Sequence, residues 1–153
     1  MPFRISGLPA EPFQALFAMS DAELKRHGAV RRIAEDSGYP CRVSLTDAKA
    51  GDEVILVNYE HQAADTPYRS RHAIYVRPGE QRCQATGEIP EQLTKRLLSA
   101  RAFDAEGMIV DADVTEGRML EPLIERFFAN PAVDYIHLHY ARHGCYAARV
   151  DRA

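Results

Sequence analysis

Two periods organise the apolar residues of this chain, one of about two residues and one of about 3.6, and the switches between them mark its elements. Phe13, Leu16 and Phe17 fit one face of a short helical stretch. Ser20-Asp21-Ala22-Glu23 is a capping-box pattern that opens a second short helix, ended by Gly28. Residues 29–35 and 41–46 read as strands. The turn-rich run Asp47-Ala48-Lys49-Ala50-Gly51-Asp52 leads into residues 53–59, the most apolar strand pattern of the chain and its expected central strand. A polar loop over 62–70 precedes a strand over 72–77, closed by Pro78-Gly79. Pro90 suits the first position of a helix that buries Leu93, Leu97 and Leu98. Met119, Leu120, Leu123, Ile124, Phe127 and Phe128 form a broad stripe at helical spacing, with Pro122 in the first turn and Asn130-Pro131 as the stop.

Two hairpins complete the pattern. With Glu106-Gly107 as a two-residue turn, Phe103, Met108, Val110 and Ala112 share one side and Asp104, Asp111 and Asp113 the other. Near the C-terminus, a three-residue loop Arg142-His143-Gly144 pairs Ala141 with Cys145 and gathers Ile136, Leu138, Tyr140, Tyr146, Ala148 and Val150 on one wholly apolar face. Gly144 then supplies the left-handed residue that such a loop needs. The opposite face carries Tyr135, His137, His139, Cys145 and Arg149, with His137 directly opposite Arg149. Hairpins joined to short helices, without a repeating strand-helix-strand pattern, predict an α+β fold: a largely antiparallel sheet covered by a few short helices.

Composition narrows the function classes. The 153 residues predict one globular domain over 1–153, large enough to bury a real core. Nineteen basic against twenty-two acidic side chains leave a net charge of −3, which suggests no nucleic-acid surface. No apolar run approaches the roughly 20 residues of a membrane span, so a cytoplasmic protein without a membrane partner is expected. Cys41, Cys83 and Cys145 are odd in number and widely spaced, which argues against a disulfide framework or a zinc knuckle.

The blocks Tyr39-Pro40-Cys41-Arg42-Val43-Ser44-Leu45, Asn58-Tyr59-Glu60-His61 and Pro67-Tyr68-Arg69-Ser70-Arg71-His72-Ala73, with the final hairpin, resemble the bacterial family called domain of unknown function 1203. The resemblance spans essentially the whole chain. It implies a bacterial, single-domain protein and carries no activity, substrate, cofactor or catalytic residue.

Candidate chemistry therefore comes from the side chains. His137 and His139 point the same way from one strand, as both acid-base pairs and metal sites require, and imidazole titrates near neutral pH. Any exposed strand face can carry two such residues. A metal would need a third ligand from His61, His72, Asp111 or Asp113, and the glutamate that follows a cupin histidine pair is missing. Proton transfer by His137 and His139, with His72, thus ranks ahead of metal binding. Tyr68, Arg69 and Arg71, where a loop enters a strand, and Arg149 on the hairpin are candidates to hold an anionic small molecule, because arginine forks match carboxylate and phosphate oxygens. Cys145, two residues after His143, is a candidate nucleophile, whereas Cys41 reads as a buried inert thiol. The two leading readings are a small-molecule enzyme and a non-catalytic metabolite- or peptide-binding domain, with metal binding third. Oligomeric state is open.

Overall fold

The computed structural model describes residues 2–153. In chain order the elements are β1 (Phe3–Ser6), α1 (Glu11–Gln14), α2 (Asp21–Arg26), β2 (Ala29–Ile33), β3 (Glu53–Gln62), β4 (Ser70–Val76), β5 (Gln84–Thr86), α3 (Glu91–Thr94), β6 (Leu97–Phe103), β7 (Ile109–Glu116), α4 (Leu120–Phe128), β8 (Tyr135–Tyr140) and β9 (Tyr146–Arg152). The strands form a six-stranded sheet, ordered β5-β1-β9-β8-β6-β7, and a three-stranded sheet, ordered β2-β3-β4. Every pairing between these strands is antiparallel, as an α+β fold of hairpins requires.

Each sheet has its own reason to stay in place. On the large sheet, Ile5, Leu98, Ala100, Ile136, Leu138, Ala148 and Val150 point to one face and are buried beneath Leu120, Leu123, Ile124, Phe127 and Phe128 of α4. Pro122 lies within the first turn of α4, where its missing amide hydrogen costs no helical bond. The small sheet packs Ile55, Val57 and Ile74 against Phe13, Leu16 and Leu24, and this second core includes Tyr146 from the large sheet. Ser20 caps α2, accepting from the Glu23 amide at 3.2 Å and donating to the Glu23 carboxylate at 3.0 Å.

Polar contacts join the two sheets as well. Gln62 Nε2, at the end of β3, donates to Tyr135 Oη at 2.8 Å, and Thr66 Oγ1 donates to the Gly107 carbonyl at 3.1 Å. At Gly107 the backbone has φ +89°, and an added Cβ would lie 2.3 Å from the Ala64 Cβ. Only glycine permits both the conformation and the close approach.

Several expected elements take another form. Residues 41–46 make a turn, not a strand: Cys41 N donates to Thr46 O, Leu45 adopts φ +56°, and isolated bridges join Pro40 to Asp47 and Cys41 to Tyr75. The peptide groups there serve other partners, with Leu8 N donating to Arg42 O and Cys83 N to Val43 O. Pro90 caps a helix that runs only from Glu91 to Thr94, and Leu97 and Leu98 open β6 instead, Leu98 buried and Leu97 exposed. A strand there gains ladders with both β7 and β8, which a longer helix would forfeit. Strands β1 and β5, only four and three residues long, had no clear pattern of their own. The β6–β7 connection closes through an Asp104 N to Met108 O bond, and Phe103 pairs with Ile109, so the bulge that follows shifts Val110 out of the expected alternation.

The terminal hairpin is corrected in the same way. Tyr140 N donates to Cys145 O and Gly144 N to Tyr140 O, which makes the loop four residues long, 141–144. A bulge then pairs His139 with Tyr146 while His137 still faces Arg149 and Leu138 faces Ala148. One extra residue reverses the parity locally. The Tyr146 ring therefore lies on the histidine face, whereas Cys145, paired with Tyr140, leaves it.

Candidate functional site

Strand parity puts His137 and His139 of β8 on one face of the large sheet, as their spacing predicts. That face is not solvated. His137 is 3% exposed and His139 1%, because the far ends of β3 and β4 lie across them. From β3 comes His61, at a bulge between Glu60 and Gln62, and from β4 comes His72, opposite Tyr59. The rings converge: His61 lies 5.8 Å from His137, 5.1 Å from His139 and 4.8 Å from His72, while His72 lies 5.3 Å from His139, centroid to centroid.

Aromatic side chains wall in this group. Tyr146 stacks on His61 at 4.8 Å and meets His137 edge-on at 5.1 Å, and Phe103 and Tyr135 pack against His137 at 5.2 and 5.1 Å. Hydrogen bonding leaves specific nitrogens open. His139 Nδ1 lies 3.0 Å from the Gly144 carbonyl, which can only accept, so the proton is on Nδ1 and the lone pair on Nε2. His61 Nε2 and His72 Nδ1 share a hydrogen bond of 2.6 Å. The Nδ1 atoms of His61 and His137 are buried without any hydrogen-bond partner among the described residues. Ligating nitrogens of His61, His137 and His139 lie within 4.8 Å of one another.

Burial also sets the protonation states. Desolvation, reinforced by the neighbouring His72 and Arg101, lowers His61 from 6.5 to about 4. His139 falls to about 3 through burial, against the Gly144 hydrogen bond that favours the cation. His137 falls to about 2 through burial and the charges of His61, His139 and Arg149. His72, more open, is lowered by burial and Arg101. All four imidazoles are therefore neutral at pH 7.

The remaining candidates lie elsewhere. Arg69 and Arg71 are 54% and 57% exposed and share Glu60, at 3.2 and 3.4 Å; Arg71, adjacent to His72 on β4, points to the opposite face by alternation. Tyr68 packs edge-on against Phe103 at 6.3 Å and is largely at the surface. Arg149 stands across from His137 but is held by Asp151 at 2.9 Å and by the Tyr135 ring, 4.2 Å away. Asp113 pairs with Arg126 at 2.7 Å. Cys145 lines a separate cleft and Cys41 is fully buried. The structure thus unites His72, His137 and His139 with His61, and leaves Cys145, Tyr68, Arg69 and Arg71 outside the group.

Two contributors were hidden in the sequence. The alternation alone puts Tyr146 on the apolar face, because nothing in the sequence marks the bulge. Arg101, opposite His137 on β6, is obscured because the sequence pattern extends the preceding helix through Leu97 and Leu98. It is half-buried, makes no ion pair among the described residues, and acts electrostatically on all four histidines. Its signal was the alternation Leu98-Ser99-Ala100-Arg101-Ala102.

The model of one protein family, described as Protein of unknown function (DUF1203), matches residues 38–152. The chain belongs to the DUF1203 family. No curated protein and no solved structure matches it. The DUF1203 match contains all four histidines, Tyr146 and Arg101, and runs from just before the Pro40–Asp47 turn to the end of β9. No helix of the described residues is long and apolar enough to cross a membrane.

Proposed function

We propose that His61, His137 and His139 hold a divalent transition-metal ion in the seam between the sheets, and that this ion serves a small-molecule enzyme whose anionic substrate sits beside Arg101. The observation that carries the reading is the pair of buried, unpartnered Nδ1 atoms of His61 and His137, close to a third imidazole whose own Nδ1 is already tied to the Gly144 carbonyl. A metal-bound histidine characteristically donates its other ring N–H to a carbonyl or carboxylate. An all-nitrogen set suits zinc, copper, nickel or iron. Ligands at about 2.0–2.1 Å in a tetrahedral site stand roughly 3.4 Å apart, so an ion would draw these rings together by about an ångström.

Protonation favours metal binding over proton transfer. Metal ligation needs neutral imidazole, which burial supplies here without a proton to displace at pH 7. A general base works best with a pKa near the operating pH, and these groups lie well below it. Arg101 would repel a bare cation but attract an anion bound to that cation.

Titration of zinc into tag-free, chelator-stripped protein tests the reading. One ion per chain is expected, with a rise in thermal midpoint. His61→Ala and His139→Ala should each weaken binding by about tenfold or more. Absence of stoichiometric binding, or unchanged affinity in both variants, would overturn it. A metal-free acid-base pair is favoured by one contact, the His61–His72 hydrogen bond, and predicts no zinc binding in the same titration.

A further inference from the structure

Beside Arg42 and Tyr140, and lined by none of His61, His72, His137 and His139, lies a cleft of about 570 Å³, a volume typical of small-molecule sites. Arg42, Lys95, Arg96 and Arg142 line it, and no acidic side chain does. Leu56, Ala73, Tyr75 and Leu97 supply an apolar wall. Arg42 is the unusual member. It is 3% exposed and forms no ion pair among the described residues. Its Nε donates to the Tyr146 carbonyl at 2.8 Å and its Nη1 to the Pro40 carbonyl at 2.7 Å, whereas Nη2 makes no hydrogen bond among the described residues. Two guanidinium groups lie over the Tyr140 ring, with Arg42 Cζ 5.0 Å and Arg96 Cζ 5.2 Å from its centroid.

Burying a charge without a counter-ion is costly, and proteins normally pair such groups. Neutral carbonyls satisfy two of the Arg42 nitrogens but supply no opposite charge. The rim does not supply it either: Lys95 and Arg96 divide the single carboxylate of Asp47, at 2.6 and 3.1 Å, and exposed Arg142 has no acidic partner among the described residues. A net positive, half-apolar cleft with one buried guanidinium donor unspent is complementary to a molecule that carries an oxyanion on an apolar body.

The geometry points to this cleft as a binding site for a small organic anion, its carboxylate or phosphate group seated on Arg42 Nη2 and closed over by Arg142, its apolar part against Leu56, Tyr75 and Leu97. The site is independent of the histidine seam. None of the four histidines lines it, and Tyr146 touches both groups, accepting from Arg42 through its carbonyl and stacking on His61 through its ring. Cys145 lines the cleft beside the anion seat and reports on its occupancy.

Calorimetric titration of chelator-stripped protein with benzoate, phenyl phosphate, inorganic phosphate and benzyl alcohol, at constant ionic strength, tests the proposal. At least one of the two phenyl anions should bind one to one, at least about tenfold more tightly than benzyl alcohol and more tightly than inorganic phosphate. Whichever phenyl anion binds better identifies the oxyanion. Arg142→Gln, at an exposed loop position, should weaken the better anion by about threefold or more with unchanged folding, and Arg42→Gln by more. Because a buried arginine variant can fail to fold, a second measurement uses the wild-type chain: the bound anion should slow alkylation of Cys145 by N-ethylmaleimide while leaving Cys83 unaffected. Failure of both phenyl anions to bind at millimolar concentration, or equal binding of benzyl alcohol or inorganic phosphate, would overturn the proposal. So would alkylation of Cys145 that ignores the anion. Zinc binding at the histidines is read separately and would survive that failure.

Discussion

A buried imidazole is neutral because water no longer stabilises its cation, and this has a measurable cost in acid. An unfolded histidine titrates near 6.5, whereas folded His61 titrates at about 4, His139 at about 3 and His137 at about 2. As pH falls below 6.5 the unfolded chain takes up protons that the folded chain refuses, so stability is lost progressively with acid and the loss continues below pH 4. For metal-free protein, the urea midpoint should fall between pH 7 and pH 5, with each of the three histidines contributing about 1 kcal/mol per pH unit in that window. A flat profile would show that these rings are hydrated. The shared direction of His137 and His139 was legible because strand parity needs only their spacing. Tyr146 was not, since one bulged residue reverses parity and nothing in Cys145-Tyr146-Ala147-Ala148 announces a bulge.

At the scale of elements, strongly periodic segments were readable and short segments with few apolar positions were not. The stripe predicted the burial of Leu120, Leu123, Ile124, Phe127 and Phe128 in α4, but Met119 falls in the turn before the helix and is 54% exposed; Phe127→Ala should destabilise the fold by about 3–5 kcal/mol by leaving a cavity beneath the helix. Residues 41–46 and 90–98 each hold only three aliphatic or thiol side chains among polar ones, too few to choose between a strand, a turn and a helix until their backbone partners are known. Strand β3 continues beyond Tyr59 through a bulge, which is how His61 reaches the seam from what reads as the start of a loop. Gly107→Ala forces a side chain into a left-handed conformation and against Ala64, and a loss of about 1–3 kcal/mol is expected in chemical denaturation. A loss near zero would mean that the 64–66 segment does not rest on the β6–β7 hairpin.

At the scale of the whole molecule, the candidate metal site exists only because β3 and β4 of the small sheet pack on the histidine face of the large one, and no local pattern encodes that docking. Sequence could name His61 and His72 as conditional partners of His137 and His139; it could not bring them together. Gln62 and Tyr135 hold the docked arrangement with a buried hydrogen bond. Tyr135→Phe leaves the Gln62 amide unpaired, so about 1–3 kcal/mol of stability should be lost and zinc affinity should drop with it. Unchanged zinc affinity in a destabilised variant would separate the site from the seam. The most direct test of the central claim is the position of the zinc anomalous signal in crystals of tag-free, zinc-loaded protein. The account predicts one peak about 2.0–2.1 Å from ring nitrogens of His61, His137 and His139. A peak at His27, His143 or Cys83 instead, or no peak in the seam, would contradict it.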